Sequence, residues 1–374
     1  MRPVWAEIDL KAIEHNVGAV RALTKSGTLF MAVVKANGYG HGASQAARAA
    51  QSAGADRLGV SLLDEAMQLK NSGISAPIHI LSETPPEPAD CRCIAENGFI
   101  ATVCREETAR ALDSAGTELG KPVKVHVKVD TGMNRIGLNW DPDSVTAYIK
   151  TIKDLPGLNV EGVFTHFATA DDPASDFKKT QLDRFNKVLD MLREKGICPP
   201  VKHAANSAAI IDFPESHLDM VRAGNAIYGL DPSPAFAGRI DLIPSLSWKA
   251  KVSFVKDVPA GEGISYGLKY TTDKPRRLAT LPLGYADGYS RRLSGRAEVI
   301  VNGRKAPVLG TICMDMFLVD VTGIPDVYEG TEAVLIGSDD KESITADDVA
   351  ACLGTINYEV VCMISDRVPR IYLT

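Results

Sequence analysis

Leu29-Phe30-Met31-Ala32-Val33-Val34-Lys35-Ala36-Asn37-Gly38-Tyr39-Gly40-His41-Gly42 passes in one step from six apolar residues to a lysine and then to a glycine-rich loop. Six apolar residues closed by glycines are the pattern of a strand covered on both faces, as in a parallel sheet wrapped by helices. The pattern repeats. Short β-branched runs stand at residues 29–34, 58–61, 78–81, 99–103, 123–129, 160–166, 201–205 and 218–222, each followed by helical periodicity or a glycine-containing loop. Residues 62–71 and 177–195 carry apolar side chains at helical spacing and stop near Gly73 and Gly196, where a C-terminal cap belongs. Eight such units predict an α/β fold of the (β/α)8 barrel type over residues 1–240. A doubly wound sheet would carry fewer strands and a glycine fingerprint after the first. An alternating segment at 4–9 leads into a helix capped by Asp9 and predicts a strand outside the barrel.

Beyond Pro232 and Pro234 the long helices cease. Short strands are expected at 248–255, 278–283, 297–301, 312–319, 333–336, 359–364 and 370–373, and Asn302-Gly303 marks a tight antiparallel hairpin. Residues 241–374 therefore read as a second, β-rich domain.

The 374 residues, 45% of them hydrophobic, suffice for a large core without disulfides. Forty-one basic against 47 acidic side chains leave a net charge of −6, which weighs against nucleic acid and anionic membranes as partners and favours small polar ligands. No signal-peptide pattern and no apolar run of ~18 residues is present, so the expected location is the cytoplasm. Seven scattered cysteines read as reduced thiols. Cys91 and Cys93 form a Cys-x-Cys pair without a second cluster at zinc spacing, so no metal site is expected.

In such a barrel the chemistry gathers at the carboxyl ends of the strands. Those ends carry Lys35, Lys128 with Asp130, His166, Asn206-Ser207 and Arg222. Lys35 follows a long apolar run, where low dielectric disfavours the charged amine; a neutral amine forms Schiff bases, whereas a solvated lysine at a strand end is the plain alternative. Ser207, Gly224 and Asn225 stand where barrels often bind phosphate on backbone amides, or where a glycine turn simply leaves the barrel. In Val123–Asp130 the valines alternate with Lys124, His126, Lys128 and Asp130, which puts the polar set on one face. If that face is the lumen, Lys128 is either paired with Asp130 or converted by carbon dioxide to an anionic carbamate able to hold Arg135.

Taken in order, Val33-Val34-Lys35-Ala36-Asn37-Gly38-Tyr39-Gly40-His41-Gly42, Lys128-Val129-Asp130-Thr131-Gly132-Met133-Asn134-Arg135-Ile136-Gly137, His166, Arg222, Gly284-Tyr285-Ala286-Asp287-Gly288 and Cys313-Met314-Asp315 resemble the bacterial alanine racemases across nearly the whole chain. That resemblance implies pyridoxal 5′-phosphate, an L-/D-alanine substrate for cell-wall synthesis and a homodimer with shared active sites. By it, Lys35 holds the cofactor as a Schiff base and serves one face of the substrate, while Tyr266, in Gly263-Ile264-Ser265-Tyr266-Gly267, serves the other. It further implies that His166 and Arg222 favour the ionised phenol. Arg222 would face the pyridine nitrogen and keep it unprotonated, which suppresses transamination. Tyr39, Tyr358, Asn206, Ser207, Gly224 and Asn225 would hold the cofactor, Arg135 would sit near its phenolic oxygen and the substrate carboxylate, and Met314 and Asp315 would meet substrate in the partner's site. Ala223, Asn225 and Thr311 depart from the family's usual residues, proline, an apolar residue and arginine. A serine or broader amino-acid racemase, a barrel decarboxylase using the same cofactor and a single-barrel cofactor carrier are the alternatives.

Overall fold

The computed structural model describes residues 3–339 and 341–374. Eight parallel strands close into a barrel: Leu29–Val33, Arg57–Val60, Ile78–Ile80, Ile100–Val103, Val123–Asp130, Leu158–Phe164, Val201–His203 and Met220–Ala223. Each pairs with the next in sequence, and the last pairs with the first through Val221 opposite Phe30. Helices Ala43–Ser52, Leu63–Asn71, Pro88–Asn97, Glu106–Glu118, Pro142–Lys153 and Phe177–Glu194 follow the first six strands. The valines of Val123–Asp130 alternate with its polar residues, and His126 and Lys128 are both buried.

That alternation fills the barrel with imidazoles. The rings of His79, His126, Phe164 and His203 pack on one another, with Phe164 and His203 stacked at 4.6 Å and 1°. Glycine makes the room: a Cβ on Gly162 would come within 2.5 Å of His126 Nδ1.

The chain divides into two compact units, one of Ile13–Gly38 and Ala43–Ile243, the other gathering the chain up to Ala12, Tyr39–Gly42 and Pro244–Thr374. The strand at the start thus departs from the 1–240 domain expected for it. Val4–Asp9 pairs antiparallel with Leu246–Lys251 and parallel with Arg370–Leu373, inside the second unit's ten-stranded sheet. Asp9 Oδ1 then accepts the N–H groups of Lys11 and Ala12 and starts the following helix.

Asn302 and Gly303, at φ 47° and 74°, make the tight turn between Glu298–Val301 and Arg304–Leu309. Three expected strands differ. Residues 248–255 break into Leu246–Lys251 and Phe254–Val258, because Val252 N–H turns to the Thr331 carbonyl and Ser253 N–H to that of Thr280. Of 312–319 only the end is strand, within Phe317–Asp320, since Cys313 N–H closes a loop onto the Met316 carbonyl. Residues 359–364 are not a strand but largely the helix Asn357–Cys362, a short apolar run that periodicity alone cannot assign.

Candidate active site

Lys35 comes two residues after the first barrel strand and opens a turn wound left-handed. Ala36, Asn37 and Gly38 stand at φ 50°, 53° and 63°, a conformation costing a non-glycine residue roughly 1–2 kcal/mol. Three bonds hold it: Ala36 N–H donates to Glu65 Oε1 at 2.6 Å, Ala43 N–H to Asn37 Oδ1 at 3.0 Å, and Gly38 N–H to the Val34 carbonyl at 2.9 Å. The other oxygen of Glu65 accepts the N–H groups of Ser61 and Leu62, so one carboxylate ties the lysine turn to the loop after the second strand.

Arg222, in the eighth strand, is 3% exposed. Its Nη1 donates to His203 Nδ1 at 2.8 Å, and its Nη2 to the carbonyls of Thr165 and Ala204 and to His166 Nδ1 at 3.1 Å. A guanidinium has donors only, so both imidazole Nδ1 atoms must be acceptors and both rings must carry their proton on Nε2. The consequence propagates. His203 Nε2–H donates to His126 Nδ1 at 2.8 Å, and His126 Nε2–H to Glu161 Oε2 at 3.0 Å. Glu161 also takes Arg57 at 2.5 Å and Lys124 at 3.0 Å. Burial lowers the pKa of His79, His126, His166 and His203, with Arg222 reinforcing it in each, although Glu161 opposes the shift at His126. Burial pushes the Glu161 carboxyl up, but hydrogen bonds from His126 and Arg57 outweigh it and hold it far below the carboxylate range. Burial draws Arg222 down to about 9, which leaves it cationic at neutral pH.

His79, His126 and His203 lie close enough to suggest a metal. The facing nitrogens of the last two are already hydrogen-bonded to each other, and Arg222 stands beside them, so the trio does not suit a cation.

Lys128 makes no ion pair with Asp130. Its Nζ donates to its neighbour's carbonyl, Val129, at 3.0 Å and lies 5.4 Å from the Phe164 ring centre. Asp130 instead accepts the N–H groups of Gly132 and Asn134 and shapes the loop that carries the exposed Arg135. Burial first, then Arg222, pulls Lys128 down to about 8 against the opposing attraction of Asp130.

At the stretch read as a phosphate loop, the side chains are partly engaged with the protein itself. Asn206 Oδ1 caps the helix Ser207–Asp212 through Ala209 N–H, Ser207 Oγ accepts Gly224 N–H at 2.8 Å, and the Asn225 amide donates to the Leu230 carbonyl. Among the described residues, the backbone N–H groups of Asn225 and Ala226 donate no hydrogen bond, and they head the turn Asn225–Tyr228. Those amides and the Ser207 hydroxyl proton suit an anionic group.

In the second unit, the rings of Tyr39 and Tyr358 lie 6.1 Å apart. Tyr266 is on the turn Tyr266–Leu268, and Met314 and Asp315 are on the loop after Thr311. Asp315 pairs with Arg367 at 2.7 Å, and Arg367 lies 3.6 Å from the buried Asp287. Tyr266, Leu268, Met314 and Met316 are all exposed.

Comparison with known proteins settles the lineage. The family model "Alanine racemase, N-terminal domain" matches residues 8–232, and "Alanine racemase, C-terminal domain" matches 245–372. This chain belongs to the alanine racemase family. The alanine racemase of Desulfovibrio desulfuricans is 48% identical over 372 residues, covering 100% of this chain and 98% of that one. That of Desulfosudis oleivorans is 49% identical, covering 98% and 96%. Among solved structures, the alanine racemase of Clostridium difficile superposes with a TM-score of 0.95 at 39% identity, covering 99% and 96%. That of Bacillus anthracis, solved with bound L-Ala-P, gives 0.93 at 40% identity, covering 100% and 96%. Members of this family are pyridoxal-phosphate-dependent racemases.

His203, Glu161 and Glu65 were not among the sequence candidates. His126 already stood in the polar face read from residues 123–130, and His203 could have been found the same way; Glu65 gave no signal, because its role depends on a backbone turn.

The four buried imidazoles bind fewer protons folded than unfolded below pH ~6.5, so stability should fall as pH drops through that range. Urea unfolding at pH 7.5 and 5.5 should show a loss of at most roughly 1.4 kcal/mol per histidine. An unchanged midpoint would mean the rings are not held neutral.

Proposed function

We propose that this chain interconverts L- and D-alanine with pyridoxal 5′-phosphate bound at the barrel mouth, in the cytoplasm, where D-alanine supplies cell-wall synthesis in a bacterium. The observation that carries this reading is the buried, donor-only Arg222, bonded to His166 and His203, in a barrel whose first strand delivers Lys35. An arginine is one of the two known partners for a pyridine nitrogen in such enzymes. The group fits the residues present: Lys35 offers an amine, and Ser207 with the amides of Asn225 and Ala226 offers an anion cradle. Arg222 offers a cation that has no proton to lend at neutral pH.

When bound, the cofactor supplies an electron sink for a carbanion at the substrate Cα. Lys35 holds it and moves a proton at Nζ on one face. Tyr266 moves a proton at its hydroxyl on the opposite face, so neither base has to cross the substrate. The Arg222 charge, passed to His166, favours the phenolate. Arg135 and the Met314 backbone orient the substrate carboxylate, Tyr39 and Tyr358 line the phosphate end, and Asp315 holds its loop through Arg367. Tyr266, Met314 and Asp315 serve the barrel of a second copy in a homodimer. Support for that comes from four large apolar side chains, Tyr266, Leu268, Met314 and Met316, which the single chain leaves exposed.

Lys128 is proposed as the carbamate site. With its pKa near 8 and, among the described residues, no carboxylate in ion-pair contact, roughly a tenth of its amine is neutral at pH 7 and able to add carbon dioxide. Carbon-13 dioxide should give an NMR carbamate signal that disappears in Lys128→Ala; the same signal in the variant would refute the assignment.

Deuterium wash-in at Cα of both alanine enantiomers tests the reaction. The holoenzyme should label both, and Lys35→Ala and Tyr266→Phe should each lose at least ~10²-fold. Release of carbon dioxide, or no exchange at all, would overturn it.

A further inference from the structure

Tyr266 begins a three-residue turn interrupted by Gly267 at φ 75°, and its side chain is 71% exposed in the chain. Within its own chain an exposed ring on so short a turn takes little direction from packing, so its main chain sets the direction in which it leaves that chain. That main chain is strained immediately before it. Ser265 stands at φ 62°, ψ −171°, a region that is essentially glycine's and strained for any other residue. Such a conformation persists only where neighbours enforce it.

Thr311 enforces it twice. Its Oγ1 donates to the Tyr266 carbonyl at 2.8 Å, and its own carbonyl accepts the Ser265 hydroxyl at 2.6 Å. Thr311 is buried, so water competes weakly for either bond. Ser265 Oγ also touches Cys313 Sγ at 3.4 Å. Gly310 lets the two loops meet: a Cβ there would come within 2.7 Å of the Ile264 carbonyl oxygen.

We propose that Thr311 is a positioning residue for Tyr266. The reciprocal bonds grip the strained Ser265–Tyr266 peptide on both sides and fix the direction in which the phenol is presented. Thr311 acts through Tyr266 and touches neither substrate nor cofactor. The inference rests on the reading of Tyr266 as one of two bases, so its loss should slow proton transfer on one face only.

The test compares Thr311→Val, Thr311→Ser and Tyr266→Phe holoenzymes with α-deuterated L- and D-alanine. Thr311→Val should lower kcat about 10-fold with KM within about twofold, as expected for a displaced base. It should raise the isotope effect for the enantiomer whose α-proton Tyr266 removes and leave the other unchanged, and Thr311→Ser, which keeps the hydroxyl, should restore wild-type values. Unchanged kcat, or a lower kcat with both isotope effects as in wild type, would overturn the proposal. Ser265→Gly, which relieves the strain and deletes one bond, should give the same one-sided isotope effect and serves if Thr311→Val does not fold. If Tyr266→Phe stays active, the base assignment itself fails; if it is inactive while Thr311→Val is silent, only the positioning role fails.

Discussion

A guanidinium buried in the barrel constrains everything around it. Leaving a charge such as that of Arg222 unpaired in a low-dielectric interior costs several kcal/mol. The protein meets that cost with four acceptors, two carbonyls and two imidazole nitrogens. Because arginine can only donate, each imidazole has one tautomer open to it, and the order continues through His126 to a carboxylate at Glu161. The positive end lies among the strand ends where chemistry gathers; the negative end is neutralised by Arg57 and Lys124. Neutral rings, a cation that keeps its proton and a glycine at 162 are one arrangement seen from three sides.

The same constraint explains which parts of the fold were legible. Strands covered on both faces must be apolar and β-branched, and that signature placed all eight in order. The polar exceptions at their ends, Lys35, His166 and Arg222, stood out against it. What escaped was decided by partners distant in sequence. Residues 359–364 look like a strand because Val360 and Val361 are β-branched, yet backbone bonding makes most of them a helix. Val4–Asp9 reads as a strand, but only its pairing with Leu246–Lys251 and Arg370–Leu373 shows which unit owns it. The glycines at 38, 40 and 42 suggested close approach by a ligand. At Gly38 the structure uses glycine for a left-handed turn instead, and Ala36 and Asn37 share that conformation without being glycine.

Lys128 shows a choice that sequence posed and could not make. Alternation placed it in the lumen beside Asp130 and left two outcomes open, an ion pair or a carbamate. Asp130 is instead hydrogen-bonded to the amides of Gly132 and Asn134, so its charge attracts the lysine amine without pairing with it, while an aromatic ring and the charges of Arg222 and Arg135 stand on the other side of the balance. Strain recurs where reactivity is proposed: the backbone is forced at the lysine turn and again just before Tyr266, held in the first case by Glu65 from the helix Leu63–Asn71 and in the second by Thr311 from a neighbouring loop.

Nitrogen-15 NMR of the holoenzyme labelled at histidine, recorded at pH 6, reads the protonation of the lumen directly. The account predicts neutral rings for His126, His166 and His203, each protonated at Nε2 and bare at Nδ1. An imidazolium, or a proton on Nδ1 of His166 or His203, would mean that Arg222 does not order the barrel as described.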